Sequence, residues 1–240
     1  MSDDLFDLSG KTALVTGGAQ GLGRMIAEGL LRTGATVAIT SRKIDICESA
    51  ANEMATLGRC IALPADLSSP EAAVDLAQRF RVSVGGKLHI LVNNAGKTWG
   101  GPVDSFPDRA WPGVMMVNVQ APFTLVRELL PELTAAGTPD DPARVINIGS
   151  IHMLSRDLAG DLAERNINVN AVLPGFFPTS MTAHMRADEG FDPALLGKIP
   201  MRRMGRPDEI AGTVVFLSSR AGAYITGAEI PVDGGIVGCG

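Results

Sequence analysis

Cysteine and tyrosine are scarce in this chain. Of its 240 residues, three are cysteine and one is tyrosine, and aromatic residues make up 5%. The three cysteines, Cys47, Cys60 and Cys239, are an odd number and form no Cys-x-x-Cys pair. This spacing argues against a disulfide framework or a zinc site and predicts a reducing, cytoplasmic environment. The three histidines are far apart, so we expect no bound metal.

Long apolar runs and dense basic runs are also missing. No apolar stretch approaches the ~18 residues that a membrane span needs, and the acidic first residues lack the apolar core of a signal peptide. The net charge of −5 argues against nucleic acid as a main partner. A hydrophobic fraction of 45% allows a large core, and 240 residues suit one domain.

Short apolar runs alternate with helical patterns through most of the chain, and helical spacing extends to Leu133 before a Gly- and Pro-rich loop. This alternation predicts a single-domain α/β fold over residues 1–240, a doubly wound parallel sheet with helices on both faces. The predicted strands are Lys11–Thr16, Thr36–Thr40, Ile61–Ala65, Ile90–Asn93, Val145–Ser150 and Asn168–Val172, and the predicted helices are Leu22–Thr33, Ile44–Leu57, Pro70–Val84 and His152–Glu164.

A glycine-rich turn, TGGAQGLG at residues 16–23, joins the first predicted strand to the first helix. In that position the motif predicts a Rossmann dinucleotide site. Gly17 allows the tight turn, Gly21 lets the backbone approach a pyrophosphate, and Gly23 lets the helix pack closely on the sheet. The free N–H groups of the helix N-terminus then bind the phosphates. A plain turn with packing glycines is the less favoured alternative.

The second predicted strand is followed by an arginine rather than by an acidic residue. NAD-binding domains place a carboxylate about 20 residues after the glycines, where it binds the ribose hydroxyls. This chain has Ser41 and Arg42 there. Because guanidinium binds phosphate through charge-assisted hydrogen bonds, the pattern favours NADP over NAD. Alternatively, Arg42 only begins a solvated helix.

Together these motifs resemble those of the short-chain dehydrogenase/reductase family, over nearly the whole chain. Within that family, KTWGG after NNAG and DPARVINIGS at 141–150 are most similar to 3-oxoacyl-thioester (β-ketoacyl) reductases of the rhamnolipid type. The matching segments are TGGAQGLG at 16–23, Asp66-Leu67, NNAG at 93–96, Asn118, Ser150, Pro174-Gly175 with Thr179, GRPDE at 205–209 and VDGG at 232–235. The resemblance implies an NADP(H) site formed by Gly17, Gln20, Gly21, Leu22, Gly23, Ser41, Arg42, Asp66, Leu67, Asn93, Ala95, Gly96, Pro174, Gly175, Phe177 and Thr179.

The family's chemistry implies hydride transfer between nicotinamide and a carbonyl or alcohol. Ser150 would fix the substrate oxygen and Asn118 would support a proton-relaying water. A tyrosine, with a lysine four residues later, would donate the proton. Here the chain departs from the family: its one tyrosine, Tyr224, is followed four residues later by Ala228, and no Tyr-x-x-x-Lys occurs. Tyr224 is expected to serve packing.

The missing tyrosine coincides with an abrupt junction between Ser150 and Ile151. A strand there continues directly into a helical pattern, although such connections usually take ~2–6 residues. We infer that a segment of roughly 20 residues, a loop plus two or three helical turns, is missing relative to the family. The segment is omitted from this sequence, or it is deleted in a damaged variant, or the protein is a noncatalytic dinucleotide-binding protein. We favour omission, since the flanking motifs keep the enzyme pattern.

The leading hypothesis is therefore an NADP(H)-dependent oxidoreductase that reduces a carbonyl, with a 3-oxoacyl thioester as the candidate substrate. The alternative is a noncatalytic NADP-binding or regulatory subunit. A substrate-loop insertion is expected near residues 176–204, and Lys97–Trp99 and Phe176–Arg186 are candidates for substrate contact. Family analogy implies a homo-oligomer, either a dimer or a tetramer.

Overall fold

Nine strands were assigned in a computed structural model, which describes residues 4–149, 151–180, 182–183, 186–187, 190–191 and 193–239. Seven of the strands form one parallel sheet and two form a short antiparallel pair. The strands of the large sheet are β1 (Thr12–Val15), β2 (Thr36–Ile39), β3 (Cys60–Ala62), β4 (Ile90–Asn93), β5 (Ala143–Ile148), β6 (Ile167–Pro174) and β9 (Glu229–Val232). The antiparallel pair is β7 (Arg186–Ala187) with β8 (Gly190–Phe191).

Helices connect successive strands of the sheet and cover both of its faces. A π-helical stretch, Met116–Gln120, lies between the fourth and fifth helices. The helices are α1 (Gly21–Arg32), α2 (Ile44–Met54), α3 (Pro70–Val84), α4 (Trp111–Met115), α5 (Ala121–Glu128), α6 (Leu130–Ala136), α7 (His152–Leu162), α8 (Pro193–Gly197) and α9 (Pro207–Ser218).

The order of strands creates a crevice in the middle of the sheet. The order is β3-β2-β1-β4-β5-β6-β9, so the chain runs outward from β1 to β3 and then returns to β1's other side. The carboxyl ends of β1 and β4 therefore carry loops that diverge to opposite sides. In open α/β sheets, this reversal is where ligands bind.

Alternate residues of each strand pack into one of two apolar cores. On one face, α1, α2 and α9 cover side chains such as Val15 and Val37. On the other, α3, α5, α6 and α7 cover side chains such as Leu14 and Leu91. Burial on both faces explains why these strands are continuous apolar runs. The predicted single-domain, doubly wound parallel sheet is confirmed.

All six predicted strands and four predicted helices are present, with ends shifted by a few residues. The long helical region before Leu133 is not one helix, since it consists of α4, the π-helical stretch, α5 and α6. Strand β9 and helix α9 were not predicted. The described residues contain no helix that is both long and apolar enough to span a membrane, and no cluster of three potential metal ligands.

The segment between β6 and α9 contains the predicted substrate loop. Contacts with the carboxylate of Glu209 hold the C-terminal end of this segment. Arg203 contacts both carboxylate oxygens of Glu209, at 2.8 and 2.6 Å. The backbone N–H of Arg206 donates to the same carboxylate at 2.8 Å. These donors lower the pKa of Glu209 to about 2. The C-terminal end of the segment is therefore fixed to the first turn of α9.

Candidate active site

A cavity of about 590 Å³ lies at the carboxyl ends of the central strands. It brings together most of the residues predicted to bind the coenzyme, together with Asn118. The predicted residues that line it are Gly17, Gln20, Gly21, Leu22, Ser41, Arg42, Asp66, Leu67, Asn93, Ala95, Gly96, Asn118, Pro174 and Thr179. Gly23, Gly175 and Phe177 lie outside its lining, and Ser150 lies outside the described residues.

The glycine turn has the backbone geometry that its motif predicts. Gly17 and Gly21 have φ angles of +65° and +55°, where glycine is favoured. A Cβ at Gly23 would overlap the carbonyl of Gly17 and the side-chain amide of Asn94, so the helix can approach the turn only with glycine there. Gln20, the N-cap of α1, makes no capping hydrogen bond with its side chain. The first N–H groups of a 12-residue helix are thus available to an anion at the cavity.

Thr16 joins the glycine turn to the loop after β4. Its hydroxyl accepts hydrogen bonds from the backbone N–H groups of Asn94 and Ala95, both at 2.9 Å. The Asn94 amide donates in return to the carbonyl of Thr16 at 2.9 Å. Thr40 at the end of β2 accepts from the N–H of Gly17 at 3.2 Å. These bonds fix the turn in place, and neither threonine is among the predicted site residues.

The β2–β3 side of the cavity presents a cation and hydroxyl groups. Arg42 is exposed and lines the cavity beside Ser41, with Asp66 and Leu67 facing it from the loop after β3. Within the described part of the chain, Arg42 makes no ion pair. The carbonyl of Ser41 accepts from Ala65 N at 3.0 Å, which holds the two loops together. An unpaired guanidinium here suits a phosphate on the adenosine ribose.

A chain of buried polar groups lies beneath the middle of the cavity. The Asn93 amide donates to Oδ1 of Asn147 at 2.8 Å, and the Asn147 amide donates to the Ser155 hydroxyl at 2.9 Å. Ser155 in turn donates to the carbonyl of Ile151 at 2.8 Å. Oδ1 of Asn93 is buried without a partner among the described residues. A buried acceptor without a partner is costly, so this atom destabilises the apo protein locally.

Asn118 lies in the π-helical stretch, and both the oxygen and the nitrogen of its side-chain amide are hydrogen-bonded. Its Oδ1 accepts from the N–H of Lys97 at 2.8 Å, and its amide donates to the carbonyl of Lys97 at 2.9 Å. Single π-turns within helices often occur at functional sites. The side-chain amide thus positions the loop after NNAG. The sequence carried no signal for this contact, because it joins residues 21 positions apart.

Four predicted coenzyme-binding residues lie at the end of β6 or in the loop that follows it, and two of the four line the cavity. Pro174 and Thr179 line the cavity, and Thr179 is the residue that faces Gly21 across it. Gly175 packs against Asp233, whose Cα would lie 2.6 Å from an added Cβ. Phe177 is buried, with its ring against Gly205. The structure therefore places the Phe177 side chain in the core rather than in the cavity.

The junction between β5 and α7 lies at the edge of the cavity. Gly149, with φ of +110°, and Ile151 both line it, and α7 begins at His152. No tyrosine is among the lining residues. Tyr224 is fully exposed, at 103% of its reference area, so the expectation that it packs within the chain is wrong.

Comparison with known proteins decides the family. A protein-family model described as enoyl-(acyl carrier protein) reductase matches residues 17–237 of this chain. The chain belongs to the short-chain dehydrogenase/reductase family. It is 44% identical to the rhamnolipids biosynthesis 3-oxoacyl-(acyl-carrier-protein) reductase of Pseudomonas aeruginosa, over 96% of this chain and 97% of that protein.

Solved structures with bound NADP share the fold of this chain. The Pseudomonas aeruginosa RhlG/NADP active-site complex superposes with a TM-score of 0.91 at 43% identity, covering 97% of this chain and 98% of that one. A gluconate 5-dehydrogenase from Burkholderia cenocepacia, in complex with NADP and tartrate, has a TM-score of 0.90 at 28% identity, covering 99% of both chains.

The alignment of this short-chain dehydrogenase/reductase with the Pseudomonas aeruginosa relative contains gaps. The alignment with the Pseudomonas aeruginosa reductase is 250 positions long, whereas 96% of 240 residues is about 230. About 20 aligned positions therefore contain no residue of this chain. That number agrees in size with the segment inferred to be missing after Ser150.

Proposed function

We propose that this chain binds NADP(H) in the central cavity. The observation that carries the proposal is the geometry at the start of α1: two glycines with positive φ, a third packed against the turn, and no side-chain cap on the helix. The α1 N-terminus would hold the pyrophosphate and Arg42 the phosphate on the adenosine ribose. Asp66 and Leu67 would contact the adenine, and Thr179 would face the nicotinamide end.

We further propose that the chain is a carbonyl oxidoreductase. NADPH, when bound, supplies a hydride to a carbonyl carbon. The candidate substrate is a 3-oxoacyl thioester, supported by 44% identity to a reductase named for that substrate. Ser150 would orient the carbonyl, and Asn118 would hold the loop that covers the nicotinamide end. The assay is NADPH oxidation with short 3-oxoacyl thioesters; tight NADPH binding without turnover of any carbonyl would contradict the proposal.

The second candidate function is NADP(H) binding without catalysis. The specific observation in its favour is that no tyrosine lines the cavity among the described residues and that the chain has no Tyr-x-x-x-Lys. A reduced carbonyl must receive a proton, and a positioned acid accelerates that step. The two candidates share the coenzyme site and differ only in turnover.

Arg42→Ala is expected to weaken NADPH binding by about 10- to 100-fold, because a charge-assisted hydrogen bond contributes about 1.5–3 kcal/mol. Binding of NADH, which lacks the extra phosphate, should change by less than about twofold. Calorimetric titration of both coenzymes measures the difference. Lys43→Ala is the matched control, since it removes the same charge one position further on. Equal losses in the two variants would show that Arg42 has no specific phosphate contact.

We also infer a cytoplasmic homo-oligomer, a dimer or a tetramer. Large apolar side chains on α4 and α5 are exposed in the single chain: Trp111, Met115 and Phe123. Contiguous exposed apolar residues favour association. The three free cysteines agree with a reducing compartment.

A further inference from the structure

Arg202 adopts a backbone conformation that suits glycine. Its φ angle is +56°, and among the described residues Asn166 is the only other non-glycine residue with a positive φ. The left-handed region brings Cβ close to the following carbonyl oxygen, so it is unfavourable for residues other than glycine. Asparagine tolerates this region through local hydrogen bonds, which arginine does not form. The chain therefore has an arginine at a position where the backbone favours glycine.

The contacts of the Arg202 side chain do not offset this cost. Its Nη1 donates to the carbonyl of Gly197 at the end of α8, and within the described ranges the guanidinium makes no ion pair. Nε and Nη2 have no partner in the same part of the chain. The side chain is exposed, so it adds nothing to the apolar core. Strained residues of this kind cluster at sites that bind ligands.

The turn that contains Arg202 is fixed to the edge of the sheet where the cavity lies. The N–H of the preceding residue donates to the carbonyl of Gly234, after β9, at 3.1 Å, and the N–H of Gly205 donates to the carbonyl of Phe176, after β6, at 3.0 Å. Both acceptors follow the carboxyl ends of parallel strands. Phe176 is two residues from Pro174, which lines the cavity. Arg202 therefore lies outside the cavity, at the same edge of the sheet.

The segment around Arg202 is basic. Residues 198–206 contain Lys198, Arg202, Arg203 and Arg206 and no acidic residue. Arg203 is paired with Glu209, whereas Lys198, next to the carbonyl that Arg202 contacts, is exposed and has no ion pair in the described part of the chain. A guanidinium with free N–H groups binds phosphate through charge-assisted, often bidentate hydrogen bonds, and an adjacent ammonium adds to the attraction.

We propose that Arg202, together with Lys198, binds the phosphate at the end of a pantetheine arm that carries the acyl thioester. The inference rests on the proposed reduction of a 3-oxoacyl thioester and deepens it, because it identifies how the carrier of that thioester is recognised. A pantetheine arm joins the thioester sulfur to the phosphate through an extended chain with two amide groups. With the carbonyl in the cavity, the phosphate is expected outside it, at the edge where Arg202 lies.

The test compares 3-oxohexanoyl-4′-phosphopantetheine with 3-oxohexanoyl-pantetheine, two thioesters that differ only in the phosphate. Calorimetric titration of the full chain with saturating NADP⁺ measures both affinities. We expect the phosphorylated thioester to bind about five- to tenfold more tightly. Arg202→Gly should reduce this preference to below about twofold and raise the urea midpoint of unfolding, because glycine suits the backbone there. Arg202→Lys should keep part of the preference.

Two control variants separate the loss of charge from the change in backbone. Arg165 is exposed, has no ion pair among the described residues and precedes β6 at the opposite edge of the sheet. Arg165→Ala removes the same charge there and should keep the full preference for the phosphorylated thioester. Asn166→Gly replaces the other side chain with a positive φ and should also keep it.

Failure of this inference can be distinguished from failure of the proposed function. Equal binding of the two thioesters, binding of neither, or a preference unchanged in Arg202→Gly would overturn phosphate recognition by Arg202. NADPH is titrated separately, and only the absence of its binding would count against the coenzyme site. The same phosphate occurs in coenzyme A and in acyl carrier proteins. Titration with 3-oxohexanoyl-coenzyme A and with 3-oxohexanoyl carrier protein distinguishes these sources, because the natural carrier should lose more affinity in Arg202→Gly.

Discussion

Insertion of a Tyr-x-x-x-Lys segment between Ser150 and Ile151 is expected to raise NADPH-dependent carbonyl reduction by about 10²- to 10⁴-fold, the usual contribution of a positioned general acid. The segment would be about 20 residues long, which equals the number of alignment positions without a residue of this chain. A tyrosine's pKa near ~10 must fall for it to act at neutral pH, and the ammonium of the accompanying lysine lowers it. Steady-state kinetics with a 3-oxoacyl thioester measure the gain.

The control for this experiment is the same inserted segment with phenylalanine in place of the tyrosine. It should bind NADPH with the same affinity as the tyrosine form and reduce carbonyls no faster than the present chain. If the folded, NADPH-binding insertion variant and the present chain both turned over no carbonyl, the noncatalytic alternative would be favoured. Equal, measurable rates in the present chain and the tyrosine form would show that another group already supplies the proton.

Gly23→Ala and Gly212→Ala are expected to change stability in opposite directions, although both replace a glycine within a helix. At Gly212 an added Cβ meets nothing within 4 Å, so the higher helix propensity of alanine should stabilise the fold by about 0.5–1 kcal/mol. At Gly23 the Cβ overlaps the Gly17 carbonyl and the Asn94 amide. Overpacking of this kind costs about 1–3 kcal/mol and should displace the glycine turn.

Urea unfolding measures the stability change, and NADPH titration measures its effect on the site. We expect Gly23→Ala to weaken NADPH binding at least tenfold, because the displaced turn also contains the N–H groups that we propose to bind the pyrophosphate. Gly212→Ala should leave the NADPH affinity unchanged. If Gly23→Ala kept both the stability and the affinity, close packing of α1 on the turn would not be what the site requires.

The sequence predicts the sheet and many of the residues that line the cavity, because both depend on local patterns. Apolar runs define the strands, and the glycine motif is contiguous from Thr16 to Gly23. Strand β9 was missed because it is only half-buried, so its four residues lack a continuous apolar pattern. The break in the helical region before Leu133 was missed because the π-helical stretch keeps apolar residues at nearly helical spacing.

The substrate side was predicted less completely, because its contacts join distant residues. The pairing of Asn118 with Lys97, and the space above Gly113 that Lys97 occupies, involve three separate parts of the chain. A single sequence contains no signal for such contacts. Phe177 shows the converse: its place in the motif suggested the coenzyme site, whereas its side chain is buried against Gly205. Met181, His184 and Met185 of the predicted substrate loop lie outside the described residues, as does Ser150.

The most direct test of the account is an equilibrium titration of the folded chain with NADPH and with NADH. The glycine turn, the uncapped start of α1 and the unpaired Arg42 together predict saturable binding of NADPH, at least about tenfold tighter than that of NADH. Well-folded protein that bound neither coenzyme, or that bound NADH as tightly as NADPH, would contradict it.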